Sequence, residues 1–169
     1  MFKHFLIITI FLFTKKAFTQ SVDSIQYKKN AVYLEGLGNA GGYGFYSFNY
    51  ERKIGENMHG FITVRVGFSS TYGHYPNYWV PILLNQVYHK ERKHHFEIGG
   101  GISMSFFSDL SLDSYYTGPT ANLMYRYQKP GGKFIFRIGW TPVLYFLDVD
   151  PLTTAFYFLT PGASLGFAF

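Results

Sequence analysis

The stretch His94-His95-Phe96-Glu97-Ile98-Gly99-Gly100-Gly101-Ile102-Ser103-Met104-Ser105-Phe106 reads as two interleaved lists. His94, Phe96, Ile98, Gly100, Ile102, Met104 and Phe106 fall on one face, and His95, Glu97, Gly99, Gly101, Ser103 and Ser105 on the other. A period of two over this length is the mark of an extended strand. In a soluble β-protein the apolar list turns inward, to a core from which Glu and Arg are excluded unless paired. The same split recurs about eight times along the chain, and its polar list keeps including Glu or Arg. The pattern therefore places the apolar face outward, against lipid, and the charges inside.

Punctuation by Gly, Pro, Asn and charge clusters predicts strands at 31–38, 43–53, 59–69, 79–88, 94–106, 118–128, 133–144 and 156–169. Their lengths suit the roughly 9 to 11 residues that a tilted membrane-spanning strand needs. With 169 residues the prior is one domain. Beyond the N-terminus no apolar run of about 18 residues could cross a bilayer as a helix, and a membrane protein without such helices must be a closed barrel. The fold class read from the sequence is all-β: an eight-stranded antiparallel up-and-down transmembrane β-barrel over 31–169. The 21% aromatic content, with 15 Tyr and 19 Phe, suits strands and interfacial belts.

The first residues read as an address. Lys3 and His4 precede the apolar run Phe5–Phe13, followed by Lys15, Lys16 and the small-residue exit around Ala17 and Thr19. This is the order of a secretory signal peptide over 1–19, with a polar periplasmic linker over 20–30. The chain has no Cys, which excludes a disulfide framework, thiolate chemistry and a lipidated N-terminal Cys. Of the formal charge of +5, three units belong to leader lysines, and the remaining charges are dispersed. No basic stripe of the kind nucleic-acid binding requires is present.

Connections alternate in kind. Ile54–Met58, His89–Lys93 and Lys129–Gly132 are short and polar, whereas 70–78, 107–117 and 145–155 are longer and 39–42 is Gly-rich. Short periplasmic turns opposite longer outer loops are the habit of outer-membrane barrels. Lys53, Lys90, Arg92, Lys93 and Lys129 gather at the short turns, while Asp109, Asp113, Asp148 and Asp150 lie in the long loops. Asp148 and Asp150 alone fall short of the six to eight oxygens Ca²⁺ prefers, so no metal and no cofactor is expected.

Strand by strand, the outward set is Val32 and Leu34; Tyr46, Phe48 and Tyr50; Ile62, Val64, Val66 and Phe68; Phe96, Ile98, Ile102 and Met104; Leu123, Tyr125 and Tyr127; Phe134, Phe136, Ile138 and Trp140; and Leu159, Ala163, Leu165, Phe167 and Phe169. None is charged. The inward set includes Glu35, Glu51, Arg65, Glu97, Arg126 and Arg137, with Asn49, Asn122 and Ser164 among its neutral members. The segment 79–88 is ambiguous, because Asn85 and Gln86 point opposite ways. An eight-stranded barrel is just wide enough for side chains to fill, and unpaired charges there cost several kcal/mol each. The six charges are expected to form one neutral network that plugs the lumen, rather than an acid/base pair for hydrolysis.

Aromatic residues form two bands: Tyr50, Tyr88, Tyr125, Tyr127, Phe134 and Phe167 near the turns, and Tyr72, Tyr78, Trp79, Trp140 and Tyr157 near the loops. Pro81, Pro119, Pro142 and Pro161 each remove a ladder donor on the loop side, and Pro161 is expected to bulge or kink the last strand. Phe169 closes that strand, with Phe167, Leu165 and Ala163 at alternate positions behind it. Phe167 and Phe169 read as the signal by which the barrel assembly machinery selects its substrates.

The mature chain resembles the small eight-stranded outer-membrane barrels of Gram-negative bacteria. In particular it resembles an uncharacterised outer-membrane β-barrel family, through Leu34-Glu35-Gly36-Leu37-Gly38, His95-Phe96-Glu97-Ile98-Gly99, Tyr125-Arg126-Tyr127-Gln128 and Phe136-Arg137-Ile138-Gly139-Trp140-Thr141-Pro142. The resemblance implies such a barrel in the cell outer membrane, surrounded by outer-membrane lipid, and brings no catalytic residue; a monomer is expected. The first functional reading is a structural or surface-interaction barrel that is not an enzyme. A lipid-modifying enzyme or protease with a rim site, for which only His74 beside Ser69 and Ser70 offers material, is the alternative. A narrow transport pore is the second, and a soluble lipocalin-like carrier fails on its inverted polarity.

Overall fold

A computed structural model describes residues 27–36, 46–71, 77–89, 91–108, 113–143 and 160–169. Eight strands run in chain order: β1 Asn30–Gly36, β2 Tyr46–Asn57, β3 Gly60–Thr71, β4 Asn77–Tyr88, β5 His94–Ser108, β6 Asp113–Gln128, β7 Phe134–Trp140 and β8 Pro161–Ala168. Each pairs antiparallel with the next, and β8 pairs back onto β1, closing the sheet into a barrel. Closure removes the unpaired edges that an open sheet presents. The described residues contain no helix.

A circuit of this barrel is not level. From Ala31 the pairings lead through Glu51, Arg65, Leu83, Gly101 and Thr120 to Val143 beyond β7. In the other direction they lead through Ala168 to Lys133, just before β7. The two arrivals lie ten residues apart on one strand line. With about 3.3 Å per residue along a strand and about 4.8 Å between strands, that slip tilts the strands by ~40°. Ten residues at this tilt rise ~25 Å, the height of the apolar band on a membrane barrel.

Burial alternates along every strand with the charged list inside. Glu35, Arg65, Glu97 and Arg137 are 0% exposed, whereas Phe48 is 62% and Phe167 63% exposed. The ambiguous β4 resolves with Trp79, Pro81, Leu83, Asn85 and Val87 inward and Gln86 outward. Gln86 stays solvated by its position near the turn, where its side chain meets that of Asn57 at 2.8 Å.

Four details differ from the sequence reading. The connection expected over 54–58 is mostly strand: β2 runs on to Asn57, with a register shift between Lys53 and Gly55, so the turn is only Met58 and His59. Asn57 Oδ1 accepts from the backbone of His59 and Gly60 there, which supplies the turn without Gly or Pro inside it. Of the loop expected over 107–117, residues 107–108 and 113–117 belong to strands, because β5 and β6 pair out to Ser108 and Asp113; polar composition hid a strand whose ladder needs no apolar face. Pro161 opens β8 rather than interrupting it, opposite Trp140 with no shift in register. Trp79 is inward and buried, so it belongs to the lumen and not to the outer aromatic band.

Proline acts instead at Pro81. The β3–β4 pairing runs up to Val66–Ile82 and resumes at Ser69–Trp79, skipping two rungs, one of them where Pro81 has no N–H to give. Gly67 faces it there, and a Cβ on Gly67 would sit 2.8 Å from the Pro81 ring and 2.5 Å from Asn49 Oδ1.

Candidate functional site: the lumen

Tilt decides which inward charges meet. Arg126, Arg137, Ser164 and Glu35 lie on one line of register across β6, β7, β8 and β1, although they are remote in sequence. The side chains of Arg126, Arg137 and Glu35 and those of Glu51, Arg65 and Glu97 alternate in sign along one chain of contacts. Glu51 Oε1 accepts from Arg126 Nη1 at 2.7 Å, and the same nitrogen lies 3.3 Å from Glu97 Oε2. Glu97 in turn accepts from Arg137 Nε at 3.2 Å and from its Nη2. Arg137 Nη1 is 3.9 Å from Glu35 Oε2, which is 2.9 Å from Arg65 Nη2. The order is Glu51, Arg126, Glu97, Arg137, Glu35, Arg65: three anions and three cations.

Neutral residues add to the shell. Asn122 Nδ2 donates to Glu97 Oε1 at 2.8 Å and Ser164 Oγ to Glu35 Oε2 at 3.0 Å. Arg65 Nε donates to Asn49 Oδ1 at 2.8 Å, and Asn49 is itself held by Ser47. Gln128 Oε1 takes both Nε and Nη2 of Arg126, at 3.0 and 2.7 Å. Tyr33 stands between two guanidinium groups, with Arg137 4.6 Å and Arg65 5.5 Å from its ring centre. Such contacts let a buried cation keep favourable electrostatics on the sides its carboxylates do not cover.

The turn-side mouth is filled by carbon. Tyr27, Phe61 and Val87 form one buried cluster and Ala31, Ile135 and Ala168 another. Tyr27 precedes β1 and reaches under the barrel, its hydroxyl donating to Arg92 O at 2.7 Å and lying 3.2 Å from His95 Nε2. Burial pushes its phenol up to about 12, against the opposing pull of Arg126. His95 spans the mouth, 3.0 Å from Gln128 O and 3.2 Å from Tyr88 O. Beside the charges, Thr63, Asn85 and Asn122 share a line of register with Gly99. A Cβ on Gly99 would lie 1.8 Å from Asn85 Oδ1 and 2.1 Å from Asn122 Oδ1, so glycine is what lets both amides cross the lumen.

All six charged residues picked from the sequence are in this chain of contacts. Phe167 and Phe169 are on the outside, exposed, with Phe169 paired to Asn30 through both backbone hydrogen bonds. The sequence reading missed Tyr27, which it placed in a linker, and Tyr33, whose inward position follows from its spacing to Glu35. The signal peptide of 1–19, His74, Asp148 and Asp150 lie outside the described residues. Among the described residues no three His, Asp or Glu side chains converge as a metal site.

Chemically the arrangement holds charge still. Each carboxylate touches at least one guanidinium, and the three anions balance the three cations.

No protein-family model and no curated protein matches the sequence. In structure the chain is similar to the N-terminal β-barrel domain of Pseudomonas aeruginosa OprF, at 10% identity and a TM-score of 0.57, over 85% of this chain and 100% of that one. At that identity the likeness is one of fold.

Proposed function

We propose that this chain is a monomeric outer-membrane protein of a Gram-negative bacterium, with a plugged, salt-bridged lumen and a structural or surface-interaction role rather than a catalytic one. The observation that carries the reading is the inverted polarity: six charges buried inside, and Phe48, Leu165 and Phe167 more than half exposed outside. In water such a surface would aggregate; in a bilayer it is the stable arrangement. The outward rings of His94, Tyr125, Tyr127 and Phe134 supply a girdle beside the short turns, with successive centroids 5.5 to 6.4 Å apart. Residues 1–19 serve as the export signal, and Phe167 and Phe169 present the last strand to the barrel assembly machinery.

The test is gel mobility in sodium dodecyl sulfate of protein refolded into detergent, with and without boiling. A heat-dependent shift is expected, and a band that does not move would end the membrane reading. Planar-bilayer recording of the same protein is expected to give no steady conductance. Stable openings would replace the plugged barrel with a narrow pore, and altered lipid A from expressing cells would replace it with a rim enzyme.

A further inference from the structure

The outer wall is not evenly clad. Across the closing seam, register places Phe134, Phe167, Val32, Tyr50 and Val66 in one row and Leu165, Leu34, Phe48 and Phe68 in the next. Strand β1 contributes only Val32 and Leu34 between taller aromatic ridges, and the result is an apolar groove of about 840 Å³.

One rung nearer the turns the chemistry changes. Arg52 follows Tyr50 on the outward face of β2, opposite Asn30, and is exposed. Its neighbour Lys53 is engaged with Glu56 at 2.6 Å, whereas no carboxylate among the described residues lies within ion-pair distance of Arg52. Lys28, Lys29 and Lys133 are exposed at the same end. The Tyr50 hydroxyl donates to Asn30 Oδ1 at 2.8 Å, so the aromatic ring ends at a polar edge, the posture of an interfacial tyrosine. Arg52 thus stands at headgroup level, where long basic side chains extend to meet phosphate.

The geometry points to a phospholipid site: the groove holds the acyl chains of an anionic phospholipid from the turn-side leaflet, and Arg52 binds its headgroup. Apolar length, aromatic edge and unpaired cation follow one another in the order of that amphiphile's own parts. The inference rests on the membrane placement proposed above.

Native mass spectrometry tests it on refolded protein offered equal amounts of phosphatidylglycerol and phosphatidylcholine. One phosphatidylglycerol per barrel is expected to survive detergent removal. Arg52→Gln is expected to lower its retention about fivefold, the weight of one basic residue beside an anionic headgroup. Arg92→Gln, in the turn after β4, is expected to leave retention unchanged, and Val32→Trp, which fills the floor of the groove, to abolish it. Equal retention of both lipids, equal loss in the two arginine variants, retention by Val32→Trp, or a dimer in place of the lipid adduct would each overturn the site. Heat-dependent mobility is read on every sample. A shifted band without lipid preference refutes the groove alone, and an unshifted parent band refutes the membrane placement and the groove with it.

Discussion

Glu97 sits at the middle of the charge chain, and Glu97→Gln tests whether that chain carries stability. The carboxylate accepts from Arg137 twice, from Asn122 at 2.8 Å, and lies 3.3 Å from Arg126. A glutamine has the same volume but one oxygen, and it turns an amide NH₂ toward a guanidinium. Two charge-assisted contacts are lost, at about 1.5–3 kcal/mol each, and the lumen is left with one uncompensated cation. Breaking one partner out of a buried ionic set gives a similar figure, about 3–5 kcal/mol. Urea unfolding from phospholipid vesicles, followed by the fluorescence of Trp79 and Trp140, is expected to show a loss in that range.

Two companions sharpen the measurement. Glu51→Gln removes an end of the chain, where only Arg126 is touched and Gln128 still holds that guanidinium, so it is expected to cost about half as much. Glu97→Gln combined with Arg137→Gln leaves two neutral pairs, Glu51–Arg126 and Glu35–Arg65. It is expected to be more stable than the sum of its single variants by about 1 kcal/mol or more. A Glu97→Gln barrel within about 0.5 kcal/mol of the parent, or one no weaker than Glu51→Gln, would refute the reasoning.

Gly101→Ala places a Cβ 1.8 Å from the Ile82 carbonyl oxygen and is expected to destabilise by about 1–3 kcal/mol. Gly100→Ala, which meets nothing closer than 3.8 Å, is expected to be near neutral in the same unfolding assay. Tyr27 keeps its proton to about pH 12 in the folded barrel but to about pH 10 when unfolded. Its contribution is therefore whole below pH 10 and lost as pH rises through 12. The difference in unfolding free energy between the parent and Tyr27→Phe is expected to narrow over that window, and a constant difference would contradict it. Deleting Phe169 is expected to reduce surface assembly in a bacterial host while leaving refolding into detergent intact, measured by surface proteolysis and gel shift.

The number of strands, and the faces of those other than β4, were legible because alternation is a local property. His94–Phe106 carries its polarity in its own side chains, and β5 needs no partner to reveal which list is which. The ends of elements were less legible: 113–117 are polar or aromatic without an apolar list, yet they pair along Met104–Ser108 of β5. The order of the ion pairs was not legible at all. It follows from the slip of ten residues per circuit, which brings Arg137 beside Glu35 and is set by eight pairings jointly. Tyr27 gave no signal, since one tyrosine in a polar stretch has no period to betray it.

The seam between β1 and β8 joins Ala31–Gly36 to Ala163–Ala168. Nearly the whole chain must therefore exist before the last rungs form, and loop closure over such a separation is among the slowest steps available to a sheet. Until then both terminal strands remain sticky templates for any neighbouring polypeptide. Time, more than free energy, is the hazard this architecture imposes on its cell.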